Sequence, residues 1–252
     1  MRLDKFLAEK YSSRTKASQA IEAGLVLVNG KQVAPSYEFK DSDKLEFLQP
    51  SECFVSNGGY KLNKAIKDFN FSVNGAVVAD IGASNGGFTD CLFKNGAKKV
   101  YCIDVGESQL DESLLNKNVI VIDNFNARNL NRGLFEERLD GVVVDVSFIS
   151  LTYILKNIAE VLDDGGWVIA LIKPQFECES KKVGKNGIVR EPEVRKRIVK
   201  KIIDYAHSCS LTTVKLTNAP IKQGKNIEYL FLAYKNGRNY TDIIQLFKYA
   251  KF

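Results

Sequence analysis

Hydrophobic and polar positions along the chain change period several times, and each change marks an element. Leu3, Phe6 and Leu7 fall at helical spacing, Ser12-Ser13 offers a capping site for a second helix carrying Ala17, Ala20 and Ile21, and Gly24 stops it. Leu25 to Val28 then runs into Asn29-Gly30, a dipeptide suited to a type I′ turn, and Lys31-Gln32-Val33 returns as the second arm of a hairpin. Lys44 to Leu48 predicts a further strand, and Gln49-Pro50-Ser51 ends the pattern because proline blocks continuation. Beyond it, strand-like runs at 77–81, 100–105, 119–122, 142–145 and 168–173 alternate with helical stretches, which predicts a parallel sheet flanked by helices. Two more strand-like runs follow at 211–216 and 228–234. The expected class is α/β: a Rossmann-like domain at 58–252, a small α+β domain at 1–48 and a linker at 49–57.

Composition narrows the picture. A chain of 252 residues with 45% hydrophobic and 26% charged content is too apolar for disorder and long enough for one large core plus an accessory domain. The longest clean apolar run, Trp167 to Ile172, falls far short of the roughly 18 residues a membrane span needs, and Met1 to Arg14 is charged throughout, unlike a secretory signal. A cytoplasmic protein without a membrane partner is expected. Five scattered cysteines without a C-x-x-C pair argue against a disulfide framework, and the single histidine, His207, cannot build a multi-histidine metal site; no metal is expected.

The net charge of +6 is unevenly distributed. Between residues 173 and 201 ten Lys and Arg face four Glu, a local excess that fits either a polyanion or a solvated helix face. From Met1 to Val33, Arg2, Lys5, Lys10, Arg14, Lys16 and Lys31 outnumber Asp4, Glu9 and Glu22.

Candidate chemistry begins at Asp80. A buried strand, Val77 to Ile81, leads into a turn with glycines at 82, 86 and 87 and then a helix from Phe88, the context in which a backbone approaches a nucleotide-like ligand. The spacing is G-x-x-x-G-G, not the dinucleotide fingerprint G-x-G-x-x-G. Asp80 would repel a pyrophosphate, yet it suits the ammonium and sulfonium of S-adenosylmethionine, and Asp104, ending the next strand, can accept both ribose hydroxyls. The expected donor site comprises Asp80, Gly82, Ala83, Ser84, Gly86, Gly87, Phe88, Asp104, Val105 and Asp145, with Asp123 and Asn124 toward the adenine.

Asp145 and Lys173 end the fourth and fifth strands, at the carboxyl edge where open α/β sheets bind ligands. Lys61, in G-G-Y-K-L, and Glu228, opening the last strand, complete a candidate catalytic set. Methyl transfer from a sulfonium is an in-line displacement, so such residues align a nucleophile and manage one proton. A lysine beside a hydroxyl can orient it or accept its proton; both roles remain open.

The start R-L-D-K-F-L, the second helix S-R-T-K-A and the turn V-N-G-K resemble an S4-type RNA-binding domain. Seven ordered blocks, G-G-Y-K-L at 58–62, D-I-G-A-S-N-G-G-F-T-D at 80–90, D-V-G-E-S-Q-L at 104–110, D-V-S-F-I-S-L at 145–151, K-P-Q-F-E at 173–177, V-G-K-N-G-I-V-R at 183–190 and K-N-I-E-Y at 225–229, resemble the TlyA or hemolysin A family, in which an S4-type domain is fused to an FtsJ-like ribose methyltransferase. The resemblance covers nearly the whole chain. It implies S-adenosylmethionine as cofactor, ribosomal RNA or ribosomal subunits as partner, 2′-O-methylation of cytidine, and a tetrad on Lys61, Asp145, Lys173 and Glu228. It also implies an antiparallel edge formed by the last two strands. RNA contacts are expected at Arg2, Lys5, Arg14, Lys16, Lys31, Lys182 and Arg190. Relatives often carry Arg where this chain has Asn57, so one family contact is missing from the pattern. A non-catalytic ribosome-assembly factor and a hemolysin are the competing classes. Residues 179–188, rich in Lys and Gly, fit a loop closing on RNA or an ordinary surface loop.

Overall fold

The computed structural model describes residues 1–22, 24–47, 54–107, 109–178, 184, 186–221, 224–237 and 241–252. The N-terminal segment forms α1 (Leu3–Phe6), α2 (Arg14–Glu22), β1 (Val26–Val28), β2 (Lys31–Gln32) and β3 (Leu45–Phe47), with the strands in the order β2-β1-β3. Ser13 Oγ accepts the Lys16 backbone N–H at 3.1 Å, the bond of a helix cap. Asn29 (φ 52°) and Gly30 (φ 72°) both take the left-handed conformation a type I′ turn requires. Leu3, Leu7, Ala17, Ile21, Val26 and Val28 close a small core.

Residues 54–57, assigned from the sequence to the linker, pack on the larger domain; 49–53 lie outside the described residues. Phe54 is buried edge-on against Tyr60, 5.1 Å between ring centroids, in a space left by Gly59, where a Cβ would lie 2.3 Å from the Phe54 Cβ. The Val55 N–H donates to Asp90 at 3.0 Å.

Among the described residues the larger domain runs α3 (Asn57–Phe69), β4 (Val77–Ile81), α4 (Gly87–Lys94), β5 (Lys99–Ile103), α5 (Glu112–Leu115), β6 (Val119–Ile122), β7 (Leu139–Val144), α6 (Leu155–Val161), β8 (Leu162–Ile172), α7 (Pro174–Glu177), α8 (Pro192–Ser208), β9 (Leu211–Asn218), β10 (Tyr229–Lys235) and α9 (Ile243–Phe247). The sheet order is β6-β5-β4-β7-β8-β10-β9. The last two strands do pair antiparallel, but β10 inserts between β8 and β9, so β10 alone opposes the parallel set.

Alternation along β4 shows how the sheet divides two cores. Val77, Ala79 and Ile81 join the layer formed with α6 and α8, while Val78 joins the layer formed with α3 and α4. Asp80 occupies the next position on that second face, opposite Cys102 of β5 and Val143 of β7. A carboxyl is thereby set where the pattern calls for an apolar side chain.

Candidate active site

Asp80 is fully buried. The Thr89 hydroxyl, from the first turn of α4, donates to its Oδ2 at 2.6 Å, while Oδ1 has no hydrogen-bond partner among the described residues. Burial pushes the carboxyl up to about 7, against the hydrogen bond from Thr89, which favours the ionised form. A buried oxygen left without a donor is unfavourable until something positive or proton-bearing meets it.

The glycines of the following loop are required by the protein itself. Gly82 has φ +83°, and a Cβ there would lie 2.6 Å from the Asp145 carbonyl oxygen; at Gly86, φ +86°, it would lie 2.4 Å from Leu114. Gly87 backs onto α3, where a Cβ would meet Ser56 Oγ at 2.1 Å. From the sequence, close approach to a ligand or a positive φ is the expected reason for the three, and Gly82 and Gly86 do take positive φ. In the structure the clearance is taken up by the chain's own segments, which lock the loop against the ends of neighbouring elements.

Asp104, just after β5, accepts the Ser84 N–H on Oδ2 at 2.9 Å and the Gly106 N–H on Oδ1 at 3.1 Å. Each carboxylate oxygen retains acceptor capacity. Val105 beside it is 73% exposed, an apolar surface open for a ring to cover. Asn124, with φ 55°, donates its N–H to Gly106 O at 3.0 Å, and Phe125 donates to Asp104 O at 2.9 Å, so the loops after β5 and β6 are clipped together.

The four candidate catalytic residues converge. Lys61 comes from the second turn of α3, Asp145 follows β7, Lys173 follows β8 and Glu228 precedes β10. Lys61 Nζ lies 2.8 Å from Glu228 Oε2 and 3.8 Å from Asp145 Oδ2, and Lys173 Nζ lies 2.5 Å from Asp145 Oδ1. Two cations and two carboxylates thus form a neutral chain around one shared acid. Burial alone would favour neutral Lys61, but the Coulombic pull of Asp145 and Glu228 outweighs it and raises its pKa above the ordinary lysine value. Lys61 is a cation at neutral pH.

Four neighbours carry no role that the sequence assigned. Lys173 donates to Ser147 Oγ at 2.8 Å, and Gln175 Nε2 reaches Glu228 Oε1 at 3.4 Å. Phe148 stands 90% exposed with φ 64° and packs on Phe176, 5.0 Å between ring centroids. A non-glycine residue in that conformation stores strain, and an exposed aromatic ring forgoes burial, so two costs meet in the segment that follows Asp145. Both aromatics stand in the motifs that supply Asp145 and Lys173, which was the available signal.

The expected RNA contacts divide. Arg2 and Arg14 both grip buried Asp4, at 2.8 and 3.2 Å, while keeping about half of each side chain exposed. The Arg2 hydrogen bond is the main reason the Asp4 carboxyl is held down near 2. Lys5, Lys31 and Arg190 are exposed. Lys16 pairs with Asp111 at 3.4 Å, bridging α2 to the residue that caps α5. Lys182 lies outside the described residues. Lys173 and Arg195, counted above in the basic stretch, are buried, so they add nothing to an exposed field.

A mostly parallel sheet with a glycine loop and a charged cluster at its carboxyl edge is a Rossmann-like arrangement. The chain belongs to the FtsJ-like methyltransferase family, whose model matches residues 54–236, and the S4 domain model matches residues 1–45. Hemolysin A of Brachyspira hyodysenteriae is 45% identical over 236 residues, covering 91% of this chain and 98% of that one. The 16S/23S rRNA (cytidine-2′-O)-methyltransferase TlyA of Mycobacterium tuberculosis is 36% identical over 221 residues, covering 86% and 82%. A solved Streptococcus thermophilus structure described as a hemolysin matches with a TM-score of 0.73 at 36% identity, covering 98% of this chain and 96% of that one.

Proposed function

We propose that the chain transfers the methyl group of S-adenosylmethionine to the 2′-hydroxyl of a cytidine ribose in ribosomal RNA, acting in the cytoplasm with residues 1–48 as the RNA-binding domain and 58–252 as the transfer domain. The observation that carries this reading is the Lys61, Asp145, Lys173, Glu228 cluster in backbone contact with the glycine loop. The activity for which the M. tuberculosis relative is named supports the choice of acceptor.

The donor-facing residues fit such a cofactor. The unpartnered Asp80 oxygen suits its ammonium group, Asp104 has acceptor capacity for a ribose diol, and exposed Val105 with Asp123 and Asn124 offers an edge for adenine. When bound, the cofactor supplies an electrophilic methyl on a sulfonium. The chain's own residues then align and stabilise. Lys61 and Lys173 would orient the hydroxyl oxygen in line with the methyl, and losing one such positioned donor typically costs roughly 10²–10³ in kcat. The hydroxyl proton becomes strongly acidic only as the new O–C bond forms, and Asp145 and Glu228 are the acceptors of the cluster. The neutrality of the four-residue set avoids a buried net charge.

Half-exposed Arg2 and Arg14, with Lys5 and Lys31, suit a phosphate backbone, and the Phe148 and Phe176 rings offer a face for an unstacked base. Incubation of unmodified ribosomal subunits with the chain and methyl-labelled donor tests the reading. A 2′-O-methyl blocks alkaline cleavage of the adjoining phosphodiester, so label is expected in alkali-resistant dinucleotides; label in mononucleotides points to base methylation and sinks the proposal.

The name of the Brachyspira relative favours a second reading. No described helix is long and apolar enough to cross a membrane. Lysis of erythrocytes by purified chain would support that reading.

A further inference from the structure

Lys173 meets Asp145 and Ser147 in two different ways. Its 2.5 Å contact with Asp145 Oδ1 is an ion pair, and that oxygen receives no aligned hydrogen bond. Ser147 Oγ, in contrast, accepts a directed bond from Nζ at 2.8 Å. A carboxylate attracts an ammonium from any direction, whereas a directed bond to a hydroxyl fixes the position of Nζ, through the last carbon–carbon torsion, together with the direction of one N–H.

Ser147 is itself held. Its segment leaves β7 at Asp145, passes through Phe148 at positive φ, and is tied down at its far end by buried Glu177, which accepts the Leu151 N–H at 2.7 Å and the Ser150 hydroxyl at 2.5 Å. Glu177 stands four residues beyond Lys173, so one short stretch supplies both the lysine and the anchor for the loop that orients it.

We infer that Ser147 is a positioning residue that holds the Lys173 Nζ in place with an N–H toward the acceptor oxygen. The inference rests on the reading that Lys173 acts on that oxygen. Ser147 moves no proton and forms no bond with substrate; its hydroxyl only receives. Because it is exposed, removing its Oγ opens no cavity in the core.

The test compares wild-type chain with Ser147→Ala and Ser147→Thr, on unmodified ribosomal subunits with labelled donor. Ser147→Ala is expected to lower kcat about tenfold or more, the scale of a misdirected catalytic group, with KM for the subunit changed less than about twofold. Ser147→Thr, which keeps the hydroxyl, restores kcat to within about threefold of wild type on that scale. Wild-type kcat in Ser147→Ala overturns the inference, as does a raised KM with unchanged kcat, which would mark Ser147 as an RNA contact. A crystal structure of Ser147→Ala decides independently of any acceptor: Lys173 Nζ displaced or split between two conformers supports the role, and an unmoved single conformer overturns it. Should wild-type chain methylate no RNA, the acceptor reading fails while the crystal structure still judges Ser147.

Discussion

Gly82 and Asp145 touch through their backbones: a side chain on the glycine would lie 2.6 Å from the Asp145 carbonyl oxygen, and the Asp145 N–H donates to Ile81 O at 3.0 Å. The loop that would receive the methyl donor and the acid shared by both lysines are therefore one mechanical unit. Displacing either must disturb the other.

Gly82→Ala should weaken donor binding by at least about tenfold and lower kcat together, while costing about 1–3 kcal/mol in backbone strain. Gly30→Ala is the control. Gly30 also has positive φ but nothing lies within 4 Å of its Cβ position, so its substitution should lower stability and leave calorimetric donor affinity unchanged. Equal effects of the two on donor affinity would dissolve the link between loop and acid.

Removing the Lys173 side chain tests the cluster. Lys173→Ala should lower kcat by roughly 10²–10³ with donor affinity nearly intact, because the lysine contacts Asp145 and Ser147 rather than the glycine loop. Single-turnover transfer beside isothermal calorimetry separates the two quantities. Full activity in this variant removes Lys173 from the mechanism.

Asp80 sets a pH dependence. Its buried carboxyl is pushed up to about 7, so the folded chain holds this proton where the unfolded chain, with a pKa of about 4, has lost it. The resulting stability is complete below about pH 4 and is lost as pH rises toward 7. In Asp80→Asn that slope disappears, and the variant's Tm should gain on wild type from pH 4 to 8. A donor ammonium facing Asp80 favours the ionised form, so donor affinity should rise with pH over the same range in wild type and stay flat in the variant. Parallel curves for the two proteins would contradict both expectations.

The order of elements was legible because hydrophobic period reports which face is buried, and the motifs at Asp80, Asp145 and Lys173 fall where strands end. Side-chain exposure and partnership were not. A charge count treated Lys173 and Arg195 as part of an exposed basic stretch, whereas both are buried, because composition carries no exposure. The glycine pattern showed that space was needed at 82 and 86 but not that Asp145 and Leu114 occupy it. Ser147 meets Lys173 across 26 residues of chain, and only the adjacency of β7 and β8 brings them together. The insertion of β10 between β8 and β9 is likewise a choice among neighbours that local pattern does not encode.

Arg2 and Arg14 should act on RNA affinity and, through buried Asp4, on the stability of the N-terminal domain, but not on methyl transfer. Replacing both with Ala is expected to weaken subunit binding and reduce the slope of log K against log salt by about 1–2, the contribution of one or two phosphates. Saturating kcat should not change. A lowered Tm with a slope equal to wild type would assign this arginine pair to holding Asp4 and the fold only.

Phe148→Ala should raise KM for the subunit several-fold and leave Tm within about 1 °C, since a 90% exposed ring adds little to the core. An unchanged KM would leave the strained, exposed aromatic without a part in acceptor binding.

The most direct test of the central claim is nucleoside mass spectrometry of ribosomal RNA from subunits treated with the chain and S-adenosylmethionine. The expected result is new 2′-O-methylcytidine that Lys173→Ala does not produce. A methylated base, or no new methylated nucleoside with donor bound and subunits intact, would contradict it.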